Sequence, residues 1–179
     1  PDTIKPEWVN VMAEKSIVFA CANPVPEIYP YAAKEAGAYI VATGRGDFPN
    51  QVNNSIGFPG ILKGALMVRA KKITDNMAIA AAHSLANYAE QRGIDPENIV
   101  PTMDEATVFP HEAADVAMQA IADGVARNVI SREEAFEWAK KDIEYSRNMA
   151  HSLCENGFVS DPPAEMIEEA LQFAVSQTK

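Results

Sequence analysis

Cysteine is scarce in this chain: Cys21 and Cys154 are the two thiols of 179 residues, far apart and in no CxxC pair. That leaves no basis for a disulfide framework or a zinc site and points to a cytoplasmic protein with reduced thiols. Positive charge is also short, with 15 Lys and Arg against 25 Asp and Glu and a net charge of −10. Nucleic acid and anionic membranes reward clustered Lys and Arg, so neither is an expected partner. No apolar run approaches the roughly 20 residues needed to cross a bilayer. The opening residues show no basic segment followed by an apolar core, so no secretion signal is read. The chain opens Pro1-Asp2-Thr3 without Met, which reads as a processed or truncated piece of a longer polypeptide. The three histidines, His83, His111 and His151, are scattered and have no partner at metal-ligand spacing, which argues against a metal site in these residues. A Gly-x-Gly-x-x-Gly fingerprint and a Walker A pattern are both missing, and Gly44-Arg45-Gly46 lacks the third glycine.

What is present is a chain 47% hydrophobic, ordinary for a globular protein and too apolar for disorder. Ser16–Ala22 and Ala38–Thr43 are continuous apolar runs of strand length, as expected of parallel strands buried on both faces. Between them Asn23-Pro24-Val25-Pro26 breaks the chain, and a helix is predicted from Pro26 to Ala36, stopped by Gly37. Strand, helix, strand predicts a βαβ unit. Thr3 is placed to cap a short first helix. After residue 58 helices dominate: Pro59–Arg69 with Gly60, Gly64 and Ala65 for close packing, then one capped by Thr74 or Asp75 running to Glu90. Pro110 sits in the first turn of a helix to Arg127, Ser131 with Glu134 forms a capping box, and Ser160-Asp161-Pro162 starts a last helix to Val175. Two buried parallel strands leave unpaired backbone at an edge. The chain therefore reads as the second half of a doubly wound α/β domain, a Rossmann-like parallel sheet followed by a helix-rich C-terminal region.

Candidate site residues gather at the predicted strand ends. Asn23 is either a turn initiator before Pro24 or a side-chain amide at the carboxyl end of a strand, where open α/β sheets bind ligands. Asn53 and Asn54 are either N-caps or ligand contacts. Together, at two adjacent strand ends, the three favour a ligand crevice, because amides donate and accept without carrying charge. Arg45 and Asp47 are expected to pair with each other or with neighbouring loops. Glu112 and the Glu133-Glu134 run are expected to be helix-first-turn charges, and Cys21 an inert thiol in a buried strand.

Residues 18–70 resemble the NAD(P)-binding domain of malic enzymes, especially the short bacterial and archaeal type. The resemblance is carried by Val18-Phe19-Ala20-Cys21-Ala22-Asn23-Pro24-Val25-Pro26-Glu27-Ile28, by Ala42-Thr43-Gly44-Arg45-Gly46-Asp47-Phe48-Pro49-Asn50-Gln51-Val52-Asn53-Asn54, and by Phe58-Pro59-Gly60 with Gly64-Ala65. A weaker match extends from residue 1 to Arg127. The resemblance implies oxidative decarboxylation of malate to pyruvate and CO2, with NAD or NADP as hydride acceptor and Mg or Mn as the metal. It implies that Asn23 and Asn53 touch cofactor and substrate, Asn53 nearer the nicotinamide carboxamide and Asn54 nearer the malate carboxylate. The family's proton-transfer tyrosine and lysine, its metal carboxylates and its glycine motif lie upstream of anything here, so the resemblance assigns these residues one wall of the active site and no catalytic or metal-ligating residue.

The expected organisation is residues 1–127 as the C-terminal half of an NAD(P)-binding domain and 128–179 as a helical extension packed on it. Its expected partners are the missing N-terminal part of the enzyme and further copies in a homo-oligomer. The alternatives are another NAD(P)-linked dehydrogenase that shares the half-domain, and a non-catalytic binding or assembly module derived from it.

Overall fold

A computed structural model describes residues 1–160 and 162–177. Its contacts divide the chain into two compact units, Pro1–Lys140 and Lys141–Lys179.

In the first unit, α1 (Pro6–Val9), β1 (Ile17–Ala20), α2 (Pro30–Glu35) and β2 (Ile40–Thr43) form the expected βαβ unit. The strands are parallel neighbours with Ile17 opposite Ile40 and Ala20 opposite Thr43. A small core of Val9, Val18, Ala20, Ile28, Ala33, Ala38 and Val41 lies beneath them. Burial on both faces holds for β2 but not β1, whose residues alternate, with Ile17 and Phe19 about half exposed. Both strands stop at four residues because β1 ends at Ala20, which leaves Cys21 exposed, not buried in a strand.

Helix α2 is shorter than predicted. Residues 26 and 27 accept backbone hydrogen bonds from Asp2 and Ile4 (3.1 and 3.0 Å), which ties that segment to the N-terminal residues and keeps it out of the helix, whose N-cap residue is Tyr29. Lys5, not Thr3, is the N-cap residue of α1.

Beyond residue 57 the first unit is a helical layer: α3 (Phe58–Met67), α4 (Asp75–Arg92), α5 (Val108–Ala122) and the start of α6 (Arg132–Glu155). Its core is Met67, Val68, Met77, Ala81, Ala113, Ala114, Val116, Ala117 and Ala120, with Ala135 and Ala139 from α6. The predicted glycines bring α3 onto α5. A Cβ on Gly60 would lie 2.2 Å from the Glu112 carboxyl carbon, and one on Gly64 would lie 2.5 Å from the Ala113 carbonyl oxygen. Thr74 caps α4 by accepting from the Met77 amide at 3.2 Å. The Ser131 and Glu134 box forms as read, each side chain bonding the other residue's amide. Those bonds hold the Glu134 carboxyl below its ordinary range.

The second unit contains residues 141–155 of α6 and α7 (Ala164–Gln177). Tyr145, Met149 and Leu153 follow one another at helical spacing on α6, and all three are exposed, as are Met166, Ile167 and Leu171 of α7. The last helix starts at Ala164, later than the expected Ser160-Asp161-Pro162 start; of those three residues Asp161 lies outside the described residues.

Candidate functional site

The carboxyl ends of β1 and β2 open into a concavity of about 370 Å³ lined by Asn23, Pro24, Gly44, Arg45, Gly46, Asp47, Gln51 and Asn53. Each strand ends in small residues, so the backbone turns away without a side chain blocking the mouth. The Ala22 amide, just beyond β1, donates to Glu27 Oε2 at 3.0 Å. That bond fixes the approach to Asn23 and holds the Glu27 carboxyl below its ordinary value. Asn23 itself is exposed.

Leaving β2, the chain loops out and returns. The Thr43 amide donates to the Asn50 carbonyl at 3.3 Å, and the Val52 amide donates to the Thr43 carbonyl at 2.8 Å. Residues 44–50 are thus a closed loop. Arg45 organises it by donating through Nε and Nη2 to the two Asp47 carboxylate oxygens (2.8 and 2.6 Å) and through Nη1 to the Pro24 carbonyl at 2.7 Å. Its guanidinium also lies 5.5 Å from the centre of the Phe48 ring. The expected Arg45–Asp47 pair is present, and it lowers the Asp47 carboxyl and raises the Arg45 guanidinium from their ordinary values. Neutralised in this way, the pair leaves a lining dominated by neutral amides.

Asn53 does two things at once. Its Nδ2 donates to the Gly44 carbonyl at 3.0 Å, and its Oδ1 accepts from the Ser55 amide at 2.9 Å, capping a 3-10 turn over Asn54–Ile56. The cap and the place at the concavity are therefore not alternatives: capping fixes the amide that faces it. An amide has one more donor hydrogen and a further acceptor lone pair than these bonds use. Asn54 opens the turn and is exposed. The structure brings Asn23 and Asn53 to one concavity and sets Asn54 immediately beside it in the chain, outside the lining.

Two residues of this region escape a reading by pattern. Asn50 is buried, and its Nδ2 donates to the Val41 and Pro96 carbonyls (3.0 and 2.8 Å) while its Oδ1 accepts from the Ile99 amide at 2.9 Å. It sits at φ 56°, a left-handed conformation that Asn tolerates better than most residues. Its position inside an amide-rich loop is the one signal the sequence carries.

Glu112 is the other. It is not a first-turn surface charge: α5 starts at Val108, which carries residue 112 past the first turn and against α3. Its side chain has no exposed surface and neither oxygen has a hydrogen-bond partner among the described residues. Burial pushes its carboxyl up from 4.5 to about 8, and the nearby Gly60 amide offsets only part of this.

Among the described residues no three His, Cys, Asp or Glu side chains converge on a metal-sized site. Among the same described residues no helix is long and apolar enough to cross a membrane.

Residues 4–122 match the family described as malic enzyme, NAD binding domain. The bifunctional malic/malolactic enzyme of Bacillus subtilis is 46% identical over 135 residues, covering 75% of this chain and 33% of that protein. Among solved structures, the malic enzyme of Entamoeba histolytica superposes with a TM-score of 0.96 at 62% identity, over 99% of this chain and 37% of that one. The malic enzyme from Pyrococcus horikoshii gives 0.79 at 49% identity, over 86% and 35%. The chain spans about a third of the length of these relatives. Its parallel pair corresponds to part of the sheet of a Rossmann-type domain, and the chain belongs to the malic enzyme NAD-binding-domain family.

Proposed function

We propose that this chain supplies one wall of a malic enzyme active site, at which malate is oxidised and decarboxylated to pyruvate and CO2 with NAD or NADP as hydride acceptor. The observation that carries the reading is the meeting of Asn23 and Asn53 in one concavity at the carboxyl ends of β1 and β2, the place where open α/β sheets take ligands. Their neutral amides suit a nicotinamide carboxamide and a dicarboxylate: they orient both without adding charge that would oppose hydride transfer. In this reading Asn23 and Asn53 hold cofactor and substrate, Asn53 towards the carboxamide, and Asn54 reaches the malate carboxylate. Arg45, satisfied by Asp47 and Pro24, braces the loop.

Mg or Mn, when bound, would supply Lewis-acid polarisation of a substrate oxygen, and no cluster of the described residues is placed to hold it. Its ligands and the proton-transfer groups come from sequence outside these 179 residues. Residues 1–127 act as the C-terminal half of the NAD(P)-binding domain and 128–179 as its helical extension, in a cytoplasmic homo-oligomer completed by the N-terminal part of the enzyme.

The test is malate-dependent NAD(P)+ reduction by the polypeptide that joins these residues to the rest of the enzyme. Asn53→Ala and Asn54→Ala should each lower kcat/KM for malate by about 10- to 100-fold. Wild-type kinetics in both variants would overturn the assignment. The pure 179-residue chain should show no malate-dependent turnover, and measurable turnover would overturn the one-wall reading.

A further inference from the structure

We propose that Glu112 is a positioning residue for the amide loop: its carboxyl, wedged beneath Gly57 and Gly60, sets the height of the turn from which Asn53 and Asn54 are presented. This rests on the reading of those asparagines given above.

The contact is steric and close. A Cβ on Gly60 would meet the Glu112 carboxyl carbon and one oxygen at 2.2 Å and its Cγ at 2.4 Å; one on Gly57 would lie 3.8 Å from the other oxygen. Residue 60 is a glycine because the acid occupies the space a side chain would need. The turn above is connected rigidly to that contact. The Ile56 amide donates to the Asn53 carbonyl at 3.2 Å, the Gly57 amide donates to the Asn54 carbonyl at 3.2 Å, and the Ile61 amide donates to the Gly57 carbonyl at 3.1 Å. Gly57 is thus held on one side by Asn54 and on the other by the first turn of α3. Whatever moves Gly57 and Gly60 moves Asn53 and Asn54.

Packing alone does not account for a carboxyl here. Neither oxygen has a hydrogen-bond partner of normal geometry among the described residues, and the Gly60 amide offsets only part of the cost of burial, a cost that an apolar side chain of similar volume avoids. The neighbouring charges are engaged elsewhere. Of the charged groups on the packed elements, Lys63 of α3 lies over the Trp138 ring at 5.3 Å. Arg92 of α4 pairs with Glu105, and Asp115 of α5 pairs with Arg132. Tyr88 of α4 bonds Thr107, and His111 packs on Phe136. The 3-10 turn has no charged residue. The carboxyl is therefore at home under the turn as a neutral acid. Its ionisation demands water that only an opened turn admits, and an opened turn withdraws Asn53 and Asn54 from malate.

The experiment uses the full enzyme and follows KM for malate and kcat separately between roughly pH 6 and pH 9. In the wild type KM should climb through about 8, the value to which burial pushes this acid. In Glu112→Gln, the neutral isostere, that climb should vanish. A Gln variant that keeps the wild-type climb overturns the proposal. Gly60→Ala should raise KM by about tenfold, and adding Glu112→Ala should return it to within about threefold of wild type; absence of rescue overturns the proposal as well. Should the Gln variant fail to fold, the carboxyl carbon of Glu112 in the labelled wild-type enzyme decides: a titration midpoint above 7 supports the proposal, and one near the ordinary 4.5 overturns it. Failure of the underlying reading shows separately, as unchanged kinetics in Asn53→Ala and Asn54→Ala.

Discussion

The Arg45 guanidinium donates to the Pro24 carbonyl at 2.7 Å and so fastens the loop after β2 to the turn after β1. Both sides of the candidate crevice then depend on one side chain. The Arg45–Asp47 pair is exposed, and exposed pairs add little to stability. Its value lies in geometry: the planar fork takes both Asp47 oxygens while another nitrogen holds the carbonyl, which a lysine ammonium cannot reproduce. Arg45→Lys should therefore leave the melting temperature unchanged while raising KM for malate or NAD(P) by about tenfold. Steady-state kinetics beside calorimetry checks this. A Lys variant with wild-type KM would show that the brace is not needed.

Asn50 presents the opposite case, stability with no ligand contact. Its amide joins the Val41 strand carbonyl to the Pro96 carbonyl and the Ile99 amide, all from a buried position. Asn50→Ala removes three hydrogen bonds and places Ala at a left-handed φ, for a combined cost of about 2–4 kcal/mol. Asn50→Gly removes the same bonds but accepts the φ, so it should be about 1 kcal/mol less costly than Ala. Urea unfolding of the three proteins at one pH measures both differences. If Ala and Gly are equally destabilising, the backbone term is absent.

These two residues show what pattern alone reveals. The βαβ frame and the asparagines at its ends are local signals: apolar runs of strand length, a glycine stop, amides beside prolines. The Arg45–Asp47 pair, two residues apart, is equally local. Glu112 is legible only across the fold. A glutamate near a helix start looks like a solvated first-turn charge until Gly60, more than fifty positions earlier, turns out to face it. Asn50 is hidden for the same reason, since its partners at Pro96 and Ile99 lie beyond α4. The outer face of β1 is a different failure. Ile17 and Phe19 have the composition of a strand buried on both faces, yet within this chain they are half exposed. A composition reading counts apolar residues without knowing which surface covers them.

Glu112 also imposes a pH dependence on folding. Its carboxyl ionises near 4.5 when free and near 8 in place. Below 4.5 both states carry the proton and there is no penalty. Between the two values the unfolded chain releases a proton that the folded one retains, so stability falls as pH rises, and above about 8 the loss is complete. The expected slope from this one group is on the order of 1 kcal/mol per pH unit across that window. Glu112→Gln should abolish it and be the more stable protein at pH 8. Denaturant midpoints of the intact enzyme at several pH values read the slope directly, and parallel curves for the two proteins would show that Glu112 titrates normally.

Gly64 tests the helix contact from a position outside the lining of the concavity. It sits inside α3, where replacing glycine by alanine ordinarily stabilises by about 1 kcal/mol. Here the added Cβ would lie 2.5 Å from the Ala113 carbonyl oxygen and 2.8 Å from the Val116 Cβ and Cγ1. The first of these is backbone in the middle of α5 and cannot rotate away. The overlap forces α3 and α5 apart along the core of Met67, Ala113, Val116 and Ala117, and overpacking of this kind costs about 1–3 kcal/mol, more than the propensity gain. Gly64→Ala should therefore lower the melting temperature. A variant as stable as wild type would mean that the two helices can separate at no cost. The consequence for Glu112 follows from the same geometry: a wider α3–α5 spacing would lift Gly60 off the acid and let water in. Gly64→Ala should accordingly bring the Glu112 titration midpoint down from about 8 towards 4.5.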